Sequence, residues 1–245
     1  MDRFGFAMKM LILAGGFGTR LQPAVPGIPK ALAPVNDVPF LRLQIEHWVE
    51  QGVRSFVFLL HHQANLIIDF LREEQKASLR GNDVRWLVEP VPMGTGGALA
   101  HAVKELILTD DFLATNADTW LGGGIKEVMH AGASGLAVIR VANAGRYGRV
   151  ELSSEDHEIE YFAEKSATDT AGWINAGLCC LTPAIFRNWN RLPFSLETDL
   201  FPALVAQGKL HAVPLETDFI DIGVPEDYFR FCGWIKAGRG GPLCS

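Results

Sequence analysis

The chain has 245 residues, 48% apolar and 20% charged, with a formal net charge of −6. That balance fits a soluble globular enzyme of one large domain or two small ones and argues against general nucleic-acid binding. No apolar run reaches the roughly 20 residues needed to cross a bilayer, so neither a membrane nor a nucleic acid is expected as a partner.

Met1 to Lys9 is too short and mixed to read as a secretory signal. Met10 to Ala14 is an apolar run, consistent with a buried strand. Gly15-Gly16-Phe17-Gly18-Thr19-Arg20 follows, then a proline-punctuated loop ending in Pro29-Lys30. Glycines here let the backbone turn sharply and approach a ligand, and successive N–H groups in such a turn form a nest for phosphate oxygens. Arg20 and Lys30 add positive charge, one as a bidentate fork and one as a mobile point charge. This is not a Walker A loop, because the Lys and the hydroxyl are misplaced. Nor is it a dinucleotide fingerprint, because Leu21 stands where the third Gly is required.

Strand and helix signals then alternate. Ala33 to Asp37 reads as a turn, and Phe40, Leu41, Ile45, Trp48 and Val49 recur at helical spacing before a stop at Gly52. Arg54 to Leu60 reads as a strand with His61-His62-Gln63 at its end, a loop pair rather than a metal site. Asn65 to Gln75 is an amphipathic helix and Val84 to Val88 a strand. Gly94-Thr95-Gly96-Gly97 opens a helix over Ala98 to Leu108, where free N–H groups and the dipole favour an anion or acceptor. A plain glycine cap would look identical. Phe112 to Asn116 is a strand, and Asp118 follows at its C-terminal end, where alternating β/α sheets bind ligands. The plainer role for Asp118 is to cap a helix over Gly122 to Met129.

From Gly135 the pattern changes. Gly135 to Val141, Gly148 to Leu152 and Glu158 to Phe162 read as strands without long helices between them, an antiparallel extension. Trp173 to Leu178 reads as a strand, Pro183 to Trp189 and Leu196 to Gln207 as helices, and Leu210 to Pro214 as a strand. Adjacent Cys179 and Cys180 point to opposite faces of a strand. No Cys-x-x-Cys pair occurs, so the expectation is reduced thiols and a cytoplasmic location. Asp221 ends a short apolar strand, Gly223 makes a turn, and Pro225 suits the first turn of a helix.

Ala14 to Leu21 with Pro23, closed by Pro29-Lys30, resembles the signature loop of the sugar-1-phosphate nucleotidyltransferases. Tyr147-Gly148, Phe162-Ala163-Glu164-Lys165, Asn175-Ala176-Gly177 and Asp221-Ile222-Gly223-Val224-Pro225-Glu226-Asp227-Tyr228 extend the resemblance over residues 10 to 234. The last string is similar to heptose-1-phosphate guanylyltransferases in particular. The departures are Val25, where many members have Thr, and Ala117, where Gly is usual.

The resemblance implies an α/β, Rossmann-like nucleotidyltransferase fold (GT-A-like) with a mostly parallel central sheet and a smaller antiparallel part. Residues 1–9 would be an extension, 10–235 a single domain with no room for an acyltransferase or β-helix domain after it, and 236–245 a flexible tail. It implies nucleotide contacts from Leu13, Ala14, Gly15, Gly16, Gly18, Thr19, Arg20, Lys30, Gly94, Thr95, Gly96 and Asn116. Tyr147, Gly148, Glu164, Lys165 and Asn175 would hold the sugar phosphate, and Asp118 and Asp221 a Mg²⁺ ion, with Arg20, Lys30, Asp118 and Asp221 catalytic. The implied partners are a nucleoside triphosphate, GTP first, and a sugar 1-phosphate, D-glycero-D-manno-heptose 1-phosphate first. The product would be a nucleotide sugar for surface polysaccharide, with pyrophosphate released. A uridylyltransferase acting on a hexose or amino-sugar 1-phosphate and a non-catalytic nucleotide-sugar sensor are the alternatives. Oligomeric state stays open, a homo-oligomer included.

Overall fold

The computed structural model describes residues 8–153, 158–163 and 170–238. Strand β1 (Met10–Leu13) precedes the glycine loop. Ala33 to Asp37 does more than turn. β2 (Pro34–Val35) and β3 (Val38–Pro39) form a small hairpin, with Asn36 and Asp37 at φ 48° and 70°. Two left-handed residues are what a tight two-residue hairpin requires. Helix α1 (Phe40–Glu50), strand β4 (Ser55–Leu60), helix α2 (Ala64–Glu74) and strand β5 (Asp83–Val88) follow close to their expected places. Helix α3 (Gly94–Glu105) begins at the glycine cluster itself rather than after it.

Strand β6 (Phe112–Asn116) is followed at once by β7 (Thr119–Leu121), which the sequence reading missed. Helix α4 (Ile125–Ala131), β8 (Gly135–Val141), β9 (Arg149–Leu152), β10 (Ile159–Ala163) and β11 (Gly172–Leu181) complete the strand-rich middle. The two helices expected after β11 are shorter. Pro183–Phe186 is a single 3-10 turn, and Leu196–Leu200 is a wide π turn leading into α5 (Phe201–Val205). Pro202 brings no N–H to the ladder at that junction, which favours a widened turn over regular helix. Strand β12 (His211–Leu215), β13 (Phe219–Asp221) and α6 (Pro225–Lys236) end the described chain. Pro225 occupies the first turn of α6, and Glu226 and Asp227 complement its dipole there. No described helix is long and apolar enough to cross a membrane.

The described residues pack as two compact units, each drawn from more than one stretch of chain. The first unit takes residues up to 91, then 116–122, then those from 218. In it β1, β4 and β5 pair in parallel, and β7 pairs antiparallel with β13. All six residues of β4 are buried, as expected for a central parallel strand. One apolar cluster carries Leu21 and Val25 of the glycine loop, Phe40 of α1, Trp120 of β7, Ile220 and Ile222 around Asp221, and Phe231 of α6. Because side chains alternate along a strand, burying Ile220 and Ile222 turns Asp221 the other way.

The second unit takes 92–115 and 123–217. Here β11 runs antiparallel to β6, β8 and β9, β9 runs antiparallel to β10, and β12 is parallel to β8. Both units therefore build mixed α/β architecture, with a parallel β1, β4 and β5 beside two short antiparallel pairs in the first and largely antiparallel pairing in the second. Cys179 and Cys180 are both buried as free thiols in β11, and burial pushes them up, Cys180 to about 11.

Phe194 wedges onto the start of α3. A Cβ on Gly96 would meet its ring at 2.2 Å, and one on Gly94 would meet its carbonyl oxygen at 2.5 Å. Gly96→Ala is expected to cost about 1–3 kcal/mol through this overlap, read by urea unfolding. Unchanged stability would contradict the wedge.

Candidate active site

The site lies in the first unit and is built around one ammonium group. Lys30 Nζ is 2.5 Å from Asp118 Oδ2 and 3.3 Å from Asp221 Oδ1. The lysine side chain is 12% exposed, the two carboxylates 35% and 29%. Three stretches of chain are needed to make this contact, and each is tied locally. Ala117 N–H donates to Leu13 O at the end of β1, and Ile222 N–H donates to Asp118 O. Gly223 N–H donates to Asp221 Oδ1 at 2.6 Å. Gly124, not Asp118, caps α4, so the helix-cap role is not taken. Ala117 keeps negative φ, being absent among the left-handed residues, so the change from Gly puts no strain on the Asp118 turn.

Burial lowers the Lys30 affinity for its proton, but Asp118 and Asp221 outweigh it and raise its pKa above the ordinary lysine value. The Asp221 carboxyl is pushed up by burial first and by the Asp118 charge second, with Lys30 opposing both. Two carboxylates against one ammonium leave one negative charge in excess. Carboxylate oxygens suit a hard divalent cation, and Mg²⁺ is commonly held by one or two carboxylates plus substrate phosphates. Among the described residues no cluster of three or more His, Cys, Asp or Glu is arranged around a common point. The two-carboxylate set therefore fits a metal whose remaining ligands arrive with the nucleotide.

Beside this group lies a cleft of about 260 Å³ whose lining includes Leu13, Ala14, Gly16, Phe17, Gly18, Thr19, Arg20, Lys30, Asp118 and Gly223. Gly18 has φ +62°, and a Cβ there would touch the Lys30 side chain at 3.0 Å, so this glycine is required for both turn and contact. Leu21 N–H closes the turn onto Gly18 O. Arg20 is exposed and makes no hydrogen bond or ion pair among the described residues, leaving its fork available to an incoming anion. Asn116 lies in this unit, its carbonyl accepting a 3.4 Å bond from Gln44. His61 and His62 pack on the exposed Phe17 ring, at centroid distances of 5.9 and 5.0 Å, and His61 Nδ1 lies 3.1 Å from Glu89 O.

Sequence reasoning missed two residues here. Glu89 is buried, and its carboxylate comes to 3.0 Å from where a Gly15 Cβ would stand. Only the proline after it signalled a bend. Gly223 was read as a turn residue, but a Cβ there would meet Asp221 Oδ1 at 2.7 Å and Lys30 Nζ at 2.9 Å.

The second unit holds the other expected residues that the structure describes. The N–H groups of Gly96 and Gly97 both donate to Phe194 O, at 3.1 and 3.2 Å. Thr95 Oγ1 donates to Glu197 Oε2 and accepts from Leu196 N–H. The Gly96 and Gly97 N–H groups and the Thr95 hydroxyl are thus engaged with residues 194–197, while the N–H groups of Gly94 and Thr95 make no hydrogen bond among the described residues. Gly148 O accepts from Asn175 N–H at 3.0 Å, which brings the Tyr147-Gly148 and Asn175 segments together. Asn175 Oδ1 caps a bulge by accepting from Gly177 N–H, where Gly177 has φ +76°. Asn175 is half-buried, and its Nδ2 donates no hydrogen bond among the described residues. Glu164 and Lys165 lie outside the described residues.

The family described as Nucleotidyl transferase matches residues 9–234, and the chain belongs to it. Its relatives include the D-glycero-alpha-D-manno-heptose 1-phosphate guanylyltransferase of Campylobacter jejuni, 30% identical over 226 residues that cover 91% of this chain and 98% of that one. The mannose-1-phosphate guanylyltransferase catalytic subunit beta of Xenopus tropicalis is 32% identical over 240 residues, covering 95% of this chain. The chain spans 66% of that relative's length. The crystal structure of HddC from Yersinia pseudotuberculosis complexed with GMP-PN has the same fold, with a TM-score of 0.79 at 29% identity over 93% of this chain and 99% of that one.

Gly223→Ala is expected to spread the Lys30 and Asp221 groups apart and lower turnover at least about tenfold, with the unfolding midpoint little changed. Wild-type turnover in this variant would contradict the close approach.

Proposed function

We propose that this protein transfers a guanylyl group from GTP to a manno-configured sugar 1-phosphate, D-glycero-D-manno-heptose 1-phosphate first among them. The observation that carries the reading is Lys30 held between Asp118 and Asp221 at the mouth of a glycine-lined cleft with Arg20 free beside it. A sugar-phosphate oxygen forms a bond to the α-phosphorus, the bond from that phosphorus to the bridging oxygen breaks, and the electron pair leaves on pyrophosphate. The attacking oxygen is ionised near neutral pH, so no general base is needed. What the chain must supply is alignment and positive charge.

Lys30 and Arg20 meet the triphosphate, and the backbone of Gly15 to Thr19 cradles it. Asp118 and Asp221 hold Mg²⁺, which when bound supplies charge neutralisation for the phosphates. Lys165 and Glu164 would orient the sugar phosphate, with Tyr147, Gly148 and Asn175 beside the sugar. Gly94 and Thr95 would meet the nucleotide through their N–H groups, and Gly96 would do so after giving up its bond to Phe194 O.

Guanine is supported by chemistry as well as by likeness. Its pairing edge offers N–H donors at N1 and N2, which a carboxylate accepts together, and Glu89 is a buried carboxylate beside Gly15. The sugar choice is supported by two relatives whose names carry the manno configuration. The same reading places the product in surface polysaccharide synthesis, capsule or lipopolysaccharide, and the protein in the cytoplasm.

The test crosses four nucleoside triphosphates with heptose, mannose, glucose and N-acetylhexosamine 1-phosphates and measures Mg²⁺-dependent pyrophosphate release. Release with GTP and a manno-configured substrate supports the proposal. Release with UTP and another sugar replaces the substrates, and nucleotide binding without release in any cell makes the protein a sensor.

Asp118→Ala and Asp221→Ala each relieve carboxylate repulsion, so the fold should stand while turnover falls by about 10²-fold or more. Wild-type turnover in both would refute the metal assignment. Glu89→Gln should lower kcat/KM for GTP by about 10–100-fold, the worth of a hydrogen bond to a charged group, with smaller loss for UTP or none. An equal fall for both nucleotides would show that Glu89 does not read the base.

A further inference from the structure

We infer that Gln44 is a positioning residue for the metal site, setting the Asp118 carboxylate by gripping the backbone on both sides of it. This rests on the reading of Asp118 as a metal ligand. Gln44 lies on α1 and is 1% exposed. Its Nε2 donates to Thr119 O at 2.7 Å and, at longer range, to Asn116 O at 3.4 Å. Those two carbonyls bracket Ala117 and Asp118, so one side-chain amide spans the turn that carries the carboxylate. The turn has two further anchors, Ala117 N–H on Leu13 O and Asp118 O on Ile222 N–H. Thr119 Oγ1 completes the frame by donating to Asp118 Oδ1 at 3.2 Å.

Three features set this contact apart from ordinary core satisfaction. First, its direction is forced. Turning the amide over would aim Oε1 at two carbonyl oxygens, so only the donor end can face the turn. Second, it is made at a cost, because Oε1 is buried and accepts no hydrogen bond among the described residues. An apolar side chain would fill the same space on α1 without that penalty. Third, one turn further along α1, His47 Nε2 lies 3.1 Å from Leu121 O, and its ring stacks on Trp120. Helix α1 thus holds the whole Asn116 to Leu121 segment along one face, and Gln44 is the part of that face nearest the carboxylate. The residue reaches neither substrate nor metal. Its effect passes through Asp118, whose carboxylate must stay beside Asp221 against like-charge repulsion whenever a cation is not between them.

The test is Gln44→Met, which keeps length and packing and removes the donors, with three readouts. Amide hydrogen exchange over residues 117–121 is measured on the metal-free protein. The Mn²⁺ dissociation constant is measured by electron paramagnetic resonance with GTP present. Turnover is measured as a function of metal concentration, with thermal unfolding as the folding control. The inference expects a cooperative transition within about 5 °C of wild type. It expects exchange in the turn at least about tenfold faster and a Mn²⁺ dissociation constant raised about tenfold, which is about 1.4 kcal/mol. The apparent KM for metal should rise with it, while turnover at saturating metal stays within about threefold of wild type. A merely structural Gln44 would lower stability without this split. In an Asp118→Ala background, Gln44→Met should leave the remaining Mn²⁺ affinity unchanged. Unchanged exchange, or unchanged Mn²⁺ affinity when the wild type binds Mn²⁺, overturns the inference. If the wild type itself binds no Mn²⁺, the metal reading falls, and with it the role of Gln44 in metal binding.

Discussion

Two carboxylates close enough to share one ammonium cannot stay so without a cation, and that constraint organises the first unit. Asp118 and Asp221 sit far apart in the chain, and Lys30 lies on a third segment. Burial raises the Asp221 pKa and the Asp118 charge raises it further, while Lys30 and the Gly223 N–H pull the other way. The chain meets this by placing the apolar partners of all three segments in one cluster. Leu21 and Val25 anchor the loop that ends at Lys30, Trp120 follows Asp118, and Ile220 and Ile222 flank Asp221. Each is buried on the side away from the site, so packing energy of roughly 1.5–3 kcal/mol per side chain fixes where the charges point.

Charge then explains the division of labour in the cleft. The carboxylate pair with Lys30 alone is negative overall and repels a triphosphate. With a divalent cation added, the same group becomes positive and attracts one. Arg20, exposed and unengaged among the described residues, stands where it can meet the phosphates in either state. On the proposed reading, metal and nucleotide binding would be coupled in sign, as suits phosphoryl-transfer sites that rely on positioning and electrostatics more than covalent chemistry.

Much of this was legible in the sequence because the loop, Asp118 and Asp221 stand at the ends of short apolar runs, with glycine close after the first and the last. That pattern marks a strand end facing a ligand, and the family resemblance rests on the same residues. The strands themselves were legible for the same reason, with β6 and β8 falling on their expected bounds. The β7–β13 ribbon was not, because Thr119 to Leu121 directly after a carboxylate looks like a turn until its distant partner Phe219–Asp221 is known. The glycines of Gly94 to Gly97 gave the right element and an incomplete reason. A helix start stripped of side chains reads the same whether a ligand or the Phe194 ring comes against it, and Phe194 lies far along the chain. The helix expected over 196–207 is present over 196–205, but Pro202 widens its first turn, which apolar spacing alone did not foretell. Gln44 was invisible as a site residue, since a polar side chain on an amphipathic helix ordinarily faces water.

The account stands most directly on where the cation sits. Crystals grown with Mn²⁺ and a non-hydrolysable GTP analogue would locate it by anomalous diffraction. The account predicts a peak coordinated by both Asp118 and Asp221 together with phosphate oxygens, with Lys30 turned from the carboxylates toward the nucleotide. A peak away from these two carboxylates, or nucleotide bound with the Lys30 bridge still closed and no metal between them, would contradict it.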